Sequence, residues 1–149
     1  MRMLRQMLAG GAVSLVNFGI HAVMTGLIVV ITRRTAVRTS DLHVFMRITA
    51  LLTVTVAALM VAHVAEISVW AAFFVLAGVR FAREVDPFEF AFENYTALGY
   101  GDFIPADWRL IGPITALNGL LLIGWSVAII FEVLRMADVQ IGHRHKRHD

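Results

Sequence analysis

The stretch Tyr95-Thr96-Ala97-Leu98-Gly99-Tyr100-Gly101-Asp102 lies between apolar runs of membrane-spanning character, and its reading decides the architecture of the whole chain. A polar segment punctuated by glycine, held between such runs, points to a task for its backbone. Consecutive carbonyls aimed the same way can form rings of oxygen that pass a dehydrated cation from one ring to the next. Aiming them requires dihedrals that a β-carbon penalises, so Gly99 and Gly101 on either side of Tyr100 are what the geometry needs. The Tyr100 side chain then points away from the axis and braces the backbone.

Thr96 to Asp102 resembles the T-T-V-G-Y-G-D signature of the tetrameric potassium channels, with Ala97 replacing the second Thr and Leu98 replacing Val. Trp108-Arg109, followed by Gly119 and then Gly124, is similar to the glycine-bearing inner helix of small bacterial two-helix channels. The likeness runs from about His63 onward and leaves the first forty residues unmatched. It implies a filter of Thr96, Ala97, Leu98, Gly99, Tyr100, Gly101 and Asp102, with K+ held by the carbonyls of Ala97, Leu98, Gly99 and Tyr100 and with Tyr95 and Trp108 in support. In the family the residue at Ala97 also lends a hydroxyl to the innermost ion site. Its loss here implies a weakly occupied innermost site above which the remaining sites stay selective. Glu93, nine residues before Asp102, matches the place where some of these channels keep a carboxylate behind the filter to share a proton or water with the aspartate. A solvated glutamate, or one paired with Arg80 or Arg83, is the alternative.

Composition is consistent with this setting. The chain has 149 residues, 58% of them hydrophobic, and a mean hydropathy of +0.73, which is too apolar for a soluble domain of this size and marks an integral membrane protein. Net charge is only +2, and the basic residues cluster outside the apolar runs instead of covering one face, which excludes nucleic-acid binding. No cysteine is present, so disulfides and thiolate chemistry are excluded. No nucleophile with a base and no cofactor motif is visible, and an enzyme is not expected.

The first apolar run, Ala9 to Ile31, is long enough to cross a hydrocarbon core of roughly 30 Å. It is longer than the core of a signal peptide and ends at Arg33-Arg34. Asn17, His21 and Thr25 recur every four residues and form a polar stripe that should face protein. Residues 32–41, with Arg33, Arg34 and Arg38, read as a basic cytoplasmic loop, and the tail 137–149, rich in Arg, Lys and His, reads the same way near anionic lipid.

From Val44 to Val79 runs a largely apolar stretch of 36 residues with no proline and no glycine before Gly78. They read as one long outer helix over 44–80, about 54 Å at 1.5 Å per residue. His63, Glu66 and Trp70 share a face of it. An ionisable pair inside a span is a candidate for pH sensing or for a structural tie to the pore helix or to His21.

Pro87 suits the first turn of a pore helix over 87–97, whose C-terminal end favours a cation. The last span, 110–136, would line the pore. Asn118 is its candidate cavity residue, and Ile123, Val127 and Phe131 form an apolar stripe able to gate by dewetting, or equally a packing face. Gly119 and Gly124 suit either a hinge or close packing.

The expectation is an all-α membrane protein: a potassium-channel-like pore module with one additional N-terminal transmembrane helix. A homotetramer in a bacterial inner membrane would conduct K+ as the permeant ion, with lipid as its other partner and no cofactor. A weakly selective cation channel and a non-conducting accessory subunit are the alternatives.

Overall fold

The computed structural model describes residues 2–40, 42–80, 85–99, 105 and 107–145, with side chains described up to Ala137. Tyr100, Gly101, Asp102, Arg83 and the side chains of the basic tail lie outside the described residues. The elements are four helices, α1 Arg2–Arg38, α2 Val44–Leu76, α3 Pro87–Tyr95 and α4 Ile111–His145, and no strand is found among the described residues. Three of them, α1, α2 and residues Ile111–Ala137 of α4, are long and apolar enough to cross a membrane. At 1.5 Å per residue the nine residues of α3 extend only about 13 Å, well short of a crossing.

Where the elements end follows from local chemistry. The basic segment expected as a loop continues α1 to Arg38, because residues 32–38 contain neither glycine nor proline and arginine and alanine are good helix formers. A turn begins at Thr39 and Ser40, where the Thr39 hydroxyl donates to the Thr35 carbonyl at 2.7 Å. Helix α2 is a single element that stops at Leu76, short of residue 80. Gly78 at φ 63 adopts the left-handed conformation, and the N–H groups of Gly78 and Val79 close back onto the carbonyls of Val75 and Phe74 at 3.1 and 3.0 Å. This is a Schellman cap, for which glycine is the usual residue. The backbone of α4 stays helical past residue 136, through most of the segment expected as a tail.

The chain divides into two units, each drawing on all three long helices. One comprises Met1–His21 and Ala62–Ile123, and the other Ala22–Val61 and Gly124–Asp149. The first has an aromatic core in which Trp70, Phe74 and Phe90 are fully buried, with Phe74 and Phe90 stacked edge to face at 5.3 Å. The second is aliphatic, built on Ile28, Leu51, Leu59, Ile129 and Val133, with the buried hydroxyls of Thr32 and Thr55 3.3 Å apart. Leu15, Leu76 and Phe131 are among many large apolar residues turned outward. Such a surface suits lipid and would be a liability in water.

Candidate functional site

Helix α3 is fixed at both ends. At its start the Asp86 carboxylate accepts from the N–H groups of Phe88 and Glu89 at 2.7 and 3.2 Å, ahead of Pro87 in the first turn. Asp86 thus satisfies two amides that a helix start would leave without partners. At its end Ala97 has φ 59, and the N–H groups of Ala97 and Leu98 return to the carbonyls of Asn94 and Glu93 at 2.9 and 3.0 Å. This is the same cap that closes α2, with alanine in the place where α2 has glycine. An L-residue with a β-carbon is disfavoured there by roughly 1–2 kcal/mol. Gly99, at φ 88, is also in the positive region, so the sign of φ alternates across Ala97, Leu98 and Gly99. Leu98 is 78% exposed within the single chain.

The end of α3 is seated directly on α4. A β-carbon on Gly119 would lie 1.9 Å from the Tyr95 carbonyl oxygen, so only a residue without a side chain permits this approach. A β-carbon on Gly124 would meet nothing within 4 Å. Of the proposed gating stripe, Ile123 packs against the aromatic core while Val127 and Phe131 are exposed, the latter at 68%.

Behind α3 lies a buried polar cluster. Glu66 of α2 is fully buried, and its Oε1 is 2.7 Å from His21 Nδ1 of α1. Its Oε2 accepts from the Tyr95 hydroxyl and lies 3.1 Å from His63 Nδ1, which is itself 2.8 Å from the Tyr95 hydroxyl. A buried carboxylate is tolerated only with such partners. The Glu66 backbone carbonyl accepts from Asn17 Nδ2 at 3.2 Å, and the same amide reaches Asn118 Oδ1 at 3.0 Å. The Trp70 indole also donates to Asn118 Oδ1, at 2.9 Å. Asn118 is therefore held inside the chain, 2% exposed. The reason is its two donors from α1 and α2, which fix the side chain toward them.

Glu93 is half-buried, and its backbone carbonyl takes part in the cap of α3. Its expected partner Asp102 lies outside the described residues. Trp108 is buried, with Phe73 edge-on at 5.6 Å and the Arg5 guanidinium over its ring at 4.8 Å. A residue that the sequence reading passed over, Gln6, ties the start of α1 to this segment. Its Nε2 donates to the Asp107 carbonyl at 3.0 Å and its Oε1 accepts from the Leu110 N–H at 2.8 Å. Only its place as a polar residue among the apolar ones of α1 could have marked it.

Comparison with curated proteins gives no match, and none is found among solved structures. A protein-family model described as ion channel matches residues 48–136, more than half of the chain and the region that runs from α2 through α3 into α4. With its apolar helices, its short capped helix and that match, the chain belongs to this ion channel family.

Proposed function

We propose that four copies of this chain surround a common axis and conduct K+ passively through the backbone carbonyls of the Thr96–Asp102 stretch. The observation that carries the reading is α3, a helix too short to span, capped at both ends and set between two spanning helices, which delivers its last residue into Thr96-Ala97-Leu98-Gly99. Alternation of left- and right-handed dihedrals turns successive carbonyls toward the same side, and the alternating φ from Ala97 to Gly99 supports that arrangement. One chain offers a single row of carbonyls, and closing them into rings needs rotational symmetry. The exposed Leu98 is consistent with a surface completed by neighbouring copies.

The test is purified protein in liposomes under a K+ gradient. A reversal potential that follows K+, block by barium, a tetrameric native mass and loss of flux in Gly101→Ala with assembly intact are expected. A dimeric mass would defeat the proposal. A weakly selective cation channel is the second reading, and Na+ carried as readily as K+, with discrimination restored in Ala97→Thr, would establish it.

A further inference from the structure

The cluster behind α3 has a composition that hydrogen bonding alone does not require. One ligand atom from each of His21, His63 and Glu66 lies within 4.8 Å of the others, and the Tyr95 hydroxyl touches two of the three. The two rings approach to 5.6 Å between centroids, each turning Nδ1 inward. Two imidazole nitrogens, a carboxylate and a phenol oxygen form a set that suits Zn2+ rather than Ca2+ or Mg2+. Ligands on a tetrahedral zinc, at about 2.0–2.1 Å from the metal, stand about 3.4 Å from one another. The contacts here of 2.7, 2.8 and 3.1 Å would open by about 0.3–0.7 Å, and the shorter contact between the Tyr95 hydroxyl and Glu66 by more. The side chains of His21 and Glu66 are 1% and 0% exposed, and that of His63 is 16% exposed, which leaves a way in on its side.

We propose that His21, His63 and Glu66 form a Zn2+ site, with the Tyr95 oxygen as fourth ligand, that pins the last residue of α3 to α1 and α2. Each imidazole offers its Nδ1 lone pair and keeps its proton on Nε2, and the phenol proton leaves to solvent as the oxygen binds. The dication is then matched by one carboxylate and one phenolate, and the filled site is neutral. Empty, the carboxylate relies on its contacts with His21, His63 and Tyr95 among apolar side chains, and a bound dication would add charge compensation there. The site stands or falls independently of whether the chain conducts.

The experiment uses full-length protein in detergent with His143, His145 and His148 changed to Ala, so that the tail holds no metal. Titration with Co2+ should give one tightly bound ion per chain with the intense visible bands of tetrahedral coordination. Zn2+ should displace it and raise the melting temperature. His63→Gln, at the most accessible ligand, should lower affinity by more than the roughly 10–100-fold that loss of an outer-sphere partner costs. Glu66→Gln should do the same. A pale six-coordinate spectrum, binding unchanged in His63→Gln, or binding seen only when the tail histidines are present would each overturn the assignment.

Discussion

A methyl group on the α-carbon of Gly119 would stand 1.9 Å from the carbonyl oxygen of Tyr95, with the Tyr95 carbonyl carbon next at 2.8 Å. The obstacle is backbone, which cannot rotate away as a side chain can. Gly119→Ala is expected to lower stability by about 1–3 kcal/mol, the usual range for overpacking. Gly124→Ala, with open space around it, should stay within about 0.5 kcal/mol of the original. Thermal melting of both variants in detergent checks this, and equal melting would refute the close approach of α3 to α4.

The carboxylate of Glu66 sets the next expectation. Tyr95→Phe removes one donor and leaves a buried oxygen one bond short, at a cost of about 1–3 kcal/mol. Glu66→Leu removes the acceptor that His21, His63 and Tyr95 share and should cost more, in the range of about 3–5 kcal/mol for breaking a buried pair. Melting and ion flux are measured from pH 5 to 8. Unchanged melting and full activity of Glu66→Leu across that range would remove both the structural and the switching role of the cluster.

Ala97 and Gly78 occupy equivalent places in two helix caps, and the comparison can be made in one protein. Ala97→Gly should hold or raise the melting temperature, since the left-handed backbone no longer meets a β-carbon. Ala97→Thr puts a β-branched residue where it is a conformational outlier, and it should melt below Ala97→Gly by roughly 1–2 kcal/mol. A threonine variant as stable as the glycine variant would show that the cap does not keep this conformation in the assembled protein.

Asp86→Ala should destabilise the start of α3 by about 0.5–2 kcal/mol, and Asp86→Asn should recover most of it, because the asparagine oxygen accepts the same two bonds. Melting of the two variants decides the matter, and an asparagine variant as weak as the alanine one would point to charge rather than capping.

Much of this was legible in the residues. The three long apolar runs, the proline that opens α3 and the glycine-rich stretch after it follow from composition and local chemistry. The shared face of His63 and Glu66 follows from helical spacing. What spacing could not reveal was rotation. Asn118 sits on a helix whose polar positions could face an axis or a neighbour, and only the placement of Asn17 and Trp70 orients it. Nor does alanine signal a left-handed backbone as glycine does, so the cap at Ala97 left no trace. The extension of α1 to Arg38 was hidden by reading arginine as a mark of loops, when its helix propensity is high and its charge only needs the membrane edge.

The family match begins at residue 48, yet Glu66 takes its His21 and Asn17 partners from α1, which lies wholly before that point. A minimal pore excised at the family boundary would keep the His63 and Tyr95 contacts of the Glu66 carboxylate but leave its Oε1, which faces His21, without that partner. In this protein the first helix is not an appendage but part of the polar shell around a buried charge, sharing that task with His63 and Tyr95 of the matched region.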